Sequence, residues 1–257
     1  MLGLSRRRKT VADRMAEAYD AAERDDYPAA LAIWNELAHQ GVARAQNNIG
    51  ACFSEGLGVE RDLSLAFRWL NLAAEGGDPI GLRNFAALHF KGEGCEQNYA
   101  RAAELYKAAA EKGDAPAQDM LSWMLLEGEV IEPDFVAAKR WAEMAAEQGV
   151  AGSMTRLGMI YHNALGVPRD AALAASWWKR AALLGDPDGQ AMLGAAYFLG
   201  AGVQPDPVQS YAWLLRARRL GSALAEPFMT PARERLSKGK LAEAERIADA
   251  PLMESAS

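Results

Sequence analysis

The sequence predicts an all-helical protein made of stacked pairs of antiparallel helices, and two observations carry this prediction. The 257 residues include 52 alanines but only 18 valines, isoleucines and threonines together, which favours helices and leaves few β-branched residues for a sheet. A period of 36 residues is marked by Gly41, Gly77, Gly113, Gly149, Gly185 and Gly221. One helix pair of this length cannot bury its apolar stripe alone, so neighbouring pairs are expected to stack into an α-solenoid.

The apolar columns of the repeat indicate which faces of the helices pack. Counted from each of the first five glycines, the eighth residue is large and the ninth is small: Ile49-Gly50, Phe85-Ala86, Leu121-Ser122, Leu157-Gly158 and Leu193-Gly194. Position 28 holds Trp69, Leu105, Trp141, Trp177 and Trp213, which we interpret as core because the column recurs on one helical face. Alanines at position 25 (Ala66, Ala102, Ala138 and Ala174) allow the two helices of a pair to approach closely.

Polar and glycine positions predict where the helices begin and end. Asp78, Asp114 and Asp186 suit the N-cap of the first helix, and Pro79 and Pro187 then occupy its first position. The first helix is expected to end near Gly56, Gly92, Gly128 or Gly200, because glycine accepts the left-handed conformation. The second helix is expected to be capped by Asp62, Asn98, Asp134, Asp170 and Asp206.

The segment from Leu193 to Val203, with the sequence LGAAYFLGAGV, resembles the Sel1-like repeat, a relative of the tetratricopeptide repeat. The continuation through Asp206 and Trp213 is similar to the same family. The resemblance implies a right-handed superhelix of five repeats at 41–76, 77–112, 113–148, 149–184 and 185–220. Val130 and Ala164 replace loop glycines in the third and fourth repeats, so those loops are expected to be reshaped.

The flanks are interpreted as caps of the repeat array. Residues 1–40 contain a predicted tetratricopeptide-like helix pair, with a helix starting near Thr10 and Asp13. Residues 221–250 are expected to form two helices, Ala223–Leu236 and Lys240–Ala248, on either side of Lys238-Gly239. Residues 251–257 are expected to be a short tail.

Composition and the chain ends exclude several classes of protein. A net charge of −6 argues against a nucleic-acid partner. At the N-terminus the basic run Arg6-Arg7-Arg8-Lys9 comes without the apolar run of a secretory signal, and no stretch is long and apolar enough to cross a membrane. We therefore expect a cytoplasmic protein without a membrane partner.

Residues that could carry chemistry are few and scattered. His39, His89 and His162 occupy unrelated positions of the repeat, and neither they nor the two cysteines, Cys52 and Cys95, have the spacing of a metal site. Gly56-Leu57-Gly58 follows a helix and lacks the residues of a phosphate-binding loop. We therefore expect no cofactor, no metal and no enzymatic activity. Two alternatives remain: a hydrolase acting on cell-wall or β-lactam substrates, and a fixed structural subunit of a larger complex.

The resemblance implies a protein-interaction scaffold, an adaptor that holds a peptide or partner protein. In the related tetratricopeptide fold the first helix of each pair lines a concave face. By analogy, the candidate partner-binding residues are Arg44, Asn47, Arg83, Phe90, Lys91, Asp119, Trp123, Met159, His162 and Phe198. Trp123, Phe90 and Phe198 either bind the partner or pack against a neighbouring repeat. Arg83 and Lys91 either accept a carboxylate of the partner or are simply solvated. The partner and the oligomeric state stay open.

Overall fold

The computed structural model describes residues 9–252, and within this range the secondary structure is entirely helical. Fourteen α-helices follow one another in the described chain: α1 (Val11–Glu23), α2 (Tyr27–His39), α3 (Ala43–Glu55), α4 (Leu63–Glu75), α5 (Pro79–Lys91), α6 (Tyr99–Glu111), α7 (Ala115–Glu127), α8 (Phe135–Glu147), α9 (Ala151–Asn163), α10 (Ala171–Leu183), α11 (Pro187–Leu199), α12 (Pro207–Arg219), α13 (Glu226–Glu234) and α14 (Lys238–Asp249). A short 3₁₀ turn, Ala223–Ala225, precedes α13. The basic residues Arg6, Arg7 and Arg8 and residues 253–257 of the expected tail lie outside the described residues.

The chain forms two compact units, residues 1–117 and 118–257, and each is a succession of packed helix pairs. In unit 1, α1 packs on α2, α3 on α4 and α5 on α6, and each pair contacts the next. In unit 2, α9 packs on α10 and α11 on α12, while α13 and α14 cover α12. First helices of successive repeats also touch, α3 with α5 and α9 with α11. The predicted all-α fold of stacked helix pairs is confirmed.

The predicted N-caps are confirmed. Side-chain oxygens of Asp78, Asp114 and Asp186 accept hydrogen bonds from backbone N–H groups in the first turns of α5, α7 and α11. All five predicted caps of the second helices do the same, and Thr10 with Asp13 forms a reciprocal capping box at α1. Local sequence therefore sets where these helices begin, because one polar side chain satisfies a backbone donor that the helix leaves free.

The first helices end in a left-handed residue, as the glycines predict. Gly56, Gly92 and Gly200 have φ values of 75°, 73° and 71°. Ala164 takes the same conformation at the end of α9, with φ of 57°, although it carries a side chain. The loop after α9 therefore begins with the same left-handed backbone conformation as the loops after α3, α5 and α11.

The small residue at position 9 of the repeat allows the two helices of a pair to touch. A Cβ atom on Gly158 would lie 2.2 Å from Nε1 of Trp178, and one on Gly50 would lie 2.6 Å from Cγ of Leu70. In the third repeat the small residue is Ser122, whose hydroxyl donates to the carbonyl oxygen of Ala138 at 2.8 Å. Ala66, Ala102, Ala138 and Ala174 are fully buried, as the alanine column predicts for closely packed helices.

The tryptophan column is less buried than the sequence predicts. Leu105 and Trp141 are buried, but Trp69, Trp177 and Trp213 are half-buried. The deeper position is one residue later, at Leu70, Tyr106, Ala142, Trp178 and Leu214, all of which are buried. Consecutive helical residues point about 100° apart, and at Leu70, Trp178 and Leu214 it is the later one that lies against the glycine of the first helix.

The C-terminal helices begin at other residues than predicted. Lys238-Gly239 does not separate them: α14 starts at Lys238, with Ser237 as its N-cap. The break lies between Glu234 and Lys238, because the Ser237 hydroxyl accepts the backbone N–H of Lys240 and so starts the helix there.

Candidate functional site

Several candidate residues on the first helices form hydrogen bonds and ion pairs with the next repeat. The Arg44 guanidinium lies 2.7 Å from Oδ1 of Asp78, the N-cap of α5. Arg83 Nε lies 3.0 Å from Oδ1 of Asp114, the N-cap of α7. In unit 2 the same connection uses Thr155, whose hydroxyl donates to Asp186 at 2.7 Å. These side chains are already engaged within the fold, and their role in binding a partner stays a prediction.

Asp119 supplies a carboxylate where the repeat lacks one. The N-cap of α9 is Val150, which has no side-chain oxygen. The Asp119 carboxylate accepts a hydrogen bond from the Ser153 hydroxyl in the first turn of α9 and pairs with Arg156, whose Nη1 lies 2.6 Å away. An acid of the third repeat thus lies at the start of the fourth, where a helix favours negative charge.

Two further candidates in unit 1 are packed or bonded. Asn47 is buried and accepts a hydrogen bond from Nδ2 of Asn84 at 2.8 Å. The ring of Phe90 packs edge-on against Tyr99, with 5.1 Å between ring centroids. Neither residue presents a large free surface, because both connect neighbouring helices.

A groove in unit 2, which we call the Trp123 groove, runs beside α7, α9 and α11 and has a volume of about 280 Å³. Its lining combines apolar and charged side chains: Trp123, Leu126, Glu127, Gly152, Thr155, Arg156, Met159, Asp186, Asp188 and Leu224. Trp123 and Met159, both candidates from the sequence, lie here and are partly exposed. Leu224, which lies in the 3₁₀ turn and is 44% exposed, also lines the groove and was not predicted from the sequence. Leu224 lies three residues after Gly221, as Arg44 lies three residues after Gly41, so the 36-residue period could have predicted it.

A second cavity of unit 2, which we call the His162 pocket, has a volume of about 140 Å³. Its lining is almost wholly apolar: His162, Trp178, Met192, Ala195, Ala196, Leu199, Ala201 and Phe228. The rings of His162 and Trp178 are tilted against each other, with centroids 5.4 Å apart. Burial lowers the pKa of His162, and the nearby positive charge of Arg169 lowers it further. The imidazole is therefore neutral at pH 7, which suits an apolar pocket.

Unit 1 contains the equivalent cavity, which we call the Asn84 pocket, with a volume of about 300 Å³. Ser54, Asn84 and Lys91 occupy positions that lie 108 residues, or three periods, before His162, Met192 and Leu199. Lys91 is exposed, and its Nζ lies 3.9 Å from a carboxylate oxygen of Glu93. The same place in the repeat therefore has a mixed polar and apolar lining in unit 1 and an almost wholly apolar one in unit 2.

The last candidate, Phe198, is covered by the C-terminal helices. The Arg235 guanidinium stacks over its ring at 3.6 Å from the centroid, and Phe228 packs edge-on at 5.8 Å. Phe198 consequently holds α13 against α11, and its availability to a partner stays a prediction.

The histidine and cysteine in contact lack the features of a reactive thiol site. The Cys95 sulfur lies 3.6 Å from Nδ1 of His89. Burial raises the pKa of Cys95 and lowers that of His89, which disfavours the thiolate–imidazolium pair that nucleophilic catalysis needs. Burial likewise raises the pKa of Cys52 to about 11. Among residues 9–252 no three histidine, cysteine or acidic side chains are grouped as metal ligands, and no helix there is long and apolar enough to cross a membrane.

Comparison with known proteins identifies the repeat. The family model of the Sel1 repeat matches residues 43–78, 80–114, 115–150, 151–186 and 187–222. The fold is similar to a crystal structure of a Sel1 repeat protein from Oxalobacter formigenes, with 24% identity, a TM-score of 0.82 and coverage of 95% of this chain and 99% of that chain. A putative Sel1 repeat protein from Klebsiella pneumoniae is 21% identical, with a TM-score of 0.49 and coverage of 78% and 97%. The comparison with curated proteins gives no match.

Proposed function

Because the chain belongs to the Sel1 repeat family, we propose that it is an adaptor that binds a segment of a partner protein in the Trp123 groove of unit 2. Sel1 repeat proteins are generally protein-interaction scaffolds, and the fold is typically non-catalytic. The proposal needs no chemical step and no cofactor. The cytoplasmic location stays a prediction of the sequence.

The groove itself is the observation that carries the proposal. Trp123, Met159 and Leu224 place partly exposed apolar surface beside charged side chains in one concavity. Aromatic and long apolar side chains in such places dominate binding energy, because they bury much area at a small cost in side-chain entropy. Arg156, another lining residue, is only 14% exposed and paired with Asp119, so its side chain is already held in place before a partner arrives.

The test compares groove variants in affinity capture from a lysate of the organism that encodes the chain, followed by mass spectrometry. We expect Trp123→Ala and Leu224→Ser to lose proteins that the unaltered chain retains. Val136→Ser is the matched control, because Val136 is an exposed apolar residue outside the groove. It should retain the same proteins.

Circular dichroism and thermal melting separate binding from folding. Leu224→Ser should melt within about 2 °C of the unaltered protein, since an exposed side chain contributes little to stability. If Leu224→Ser folds normally and captures the same proteins as Val136→Ser, the Trp123 groove is not the binding site.

A further inference from the structure

We propose that the partner segment of unit 2 is extended and carries a basic side chain and a large apolar side chain about three to five residues apart. The basic side chain lies at the acidic edge of the Trp123 groove, and the apolar one enters the His162 pocket. This inference rests on the proposed function and adds the chemistry of the ligand and a second contact site.

The charges of the Trp123 groove select a basic group. Glu127, Asp186 and Asp188 line it, and none of them forms an ion pair with a basic side chain of the described chain. Asp186 accepts hydrogen bonds only from neutral donors, the Thr155 hydroxyl and the Gly189 backbone, and Asp188 accepts one from the Ser222 hydroxyl. The one cation of the lining, Arg156, is committed to Asp119. A lysine or arginine of the partner would therefore meet complementary negative charge at this edge of the groove.

The His162 pocket selects an apolar group. Its walls are the Trp178 and Phe228 rings and the Met192 side chain, with alanines between them. Leu199 lies at its rim, and its side chain is 62% exposed. A leucine, methionine or phenylalanine side chain would cover this rim and remove its apolar surface from water.

The two cavities share the helices α9 and α11, so one short segment can reach both. Met159 lines the groove and His162 the pocket, one turn apart on α9. On α11, Asp188 lies in the groove, while Ala195 and Leu199 lie in the pocket. Seven to eleven helical residues span roughly 10–16 Å at 1.5 Å each, which an extended chain covers in about three to five residues.

The repeat-equivalent cavity of unit 1 shows that the apolar lining is not a demand of the fold. Lys91 and Glu93 stand there in place of Leu199 and Ala201, and the helices on either side keep the same lengths. The fold therefore does not require an apolar side chain at Met192, Leu199 or Ala201, whereas the positions of Trp178, Ala195 and Ala196 are apolar in unit 1 as well. A role in recognition explains the apolar side chains at the three variable positions.

The experiment is selection of a random twelve-residue peptide library displayed on phage against the full-length protein, followed by fluorescence anisotropy with the synthetic peptides enriched. We expect the enriched sequences to share lysine or arginine three to five residues from leucine, methionine or phenylalanine. Replacing the basic residue by glutamate should weaken binding about tenfold or more, and so should replacing the apolar residue by serine.

Variants of the protein assign each half of the motif to its cavity. Leu199→Lys combined with Ala201→Glu copies the unit 1 lining, which this fold accommodates, and should abolish the preference for an apolar residue while keeping that for a basic one. Glu127→Gln combined with Asp188→Asn should abolish the preference for a basic residue while keeping that for an apolar one. It should also reduce the dependence of binding on salt. Lys91→Ala combined with Glu93→Ala, in unit 1, is the matched control and should change the dissociation constants less than twofold.

The outcomes separate this inference from the proposed function. Peptides that lose binding with Leu224→Ser but are acidic, or share no such spacing, would overturn the ligand chemistry while leaving the groove as a binding site. The ligand chemistry and the Trp123 groove as a binding site would both be overturned by either of two results. One is that no peptide is enriched, and the other is that the enriched peptides bind equally well to Leu224→Ser and to both unit 2 double variants.

Discussion

The two helices of the fourth repeat, α9 and α10, approach closely because residue 158 is a glycine, which has no side chain. At Gly158 the backbone of α9 lies so near the buried Trp178 ring that a single added carbon would overlap it. The indole nitrogen of Trp178 also donates to the Thr155 carbonyl oxygen at 3.2 Å, which fixes the ring in this place. A larger residue at position 158 would therefore have to displace the Trp178 ring or move the two helices apart.

Gly158→Ala is therefore expected to lower the free energy of unfolding by about 1–3 kcal/mol, the usual cost of overpacking a core. Gly239→Ala is the control, because a Cβ atom there meets nothing within 4 Å and Gly239 lies in α14. It should leave stability unchanged or raise it by up to about 1 kcal/mol, since alanine favours helix over glycine. Urea unfolding followed by circular dichroism measures both, and equal effects of the two variants would contradict the close approach.

At the scale of the helix, one carboxylate can both begin a helix and bind it to its neighbour. Asp186 accepts the backbone N–H of Gly189 at 2.6 Å and the Thr155 hydroxyl at 2.7 Å. Asp170 caps α10 through the backbone N–H of Leu173 at 2.8 Å and has no such second partner among the described residues. Where the N-cap of a first helix is an aspartate, at α5, α7 and α11, it also connects that helix to the preceding repeat.

Asp186→Ala is expected to destabilise the protein more than Asp170→Ala. Loss of a cap alone costs about 0.5–2 kcal/mol, and loss of the second hydrogen bond adds about 1 kcal/mol. A double-mutant cycle with Thr155→Val isolates the added part: the coupling energy with Asp186→Ala should be about 0.5 kcal/mol or more, and that with Asp170→Ala close to zero. If both cycles give the same coupling, Asp186 acts only as a cap.

At the scale of the whole molecule, each helix pair is stabilised by its immediate neighbours. The C-terminal helix α14 packs on α12, and the Arg216 guanidinium donates to the carbonyl oxygens of Ile247 and Ala250 at its end. These bonds satisfy carbonyl groups that a helix leaves free at its C-terminus. In such an array a local change is expected to act locally.

Arg216→Ala should accelerate amide hydrogen exchange in α14 by about 10- to 100-fold, because charge-assisted hydrogen bonds are worth roughly 1.5–3 kcal/mol. Exchange in α3 to α6 should stay unchanged. Arg218→Ala is the control, since Arg218 is exposed and forms no ion pair or side-chain hydrogen bond within residues 9–252. Mass spectrometry of peptic fragments measures the rates, and equal exchange of α14 in the two variants would refute the role of Arg216.

Much of the candidate site could be found from the sequence, but its chemistry could not. Trp123, Met159 and His162 were predicted as binding residues, and the structure places them in two cavities of unit 2. Arg44 and Asp119 were predicted by the same rule, and their charges are engaged by neighbouring repeats. A periodic position specifies the helix face but not which side chain of the next repeat lies opposite.

Within the five repeats the sequence by itself determined the helices, their ends and their order, since caps, glycines and apolar columns act within one repeat and recur every 36 residues. Only the tertiary structure decided which of two adjacent columns is buried and which polar side chains are engaged by the next repeat. It also decided where α9 and α11 leave a cavity open. These features depend on contacts between residues more than 20 positions apart, such as Trp178 with Thr155 and Thr155 with Asp186, whose geometry no local pattern specifies.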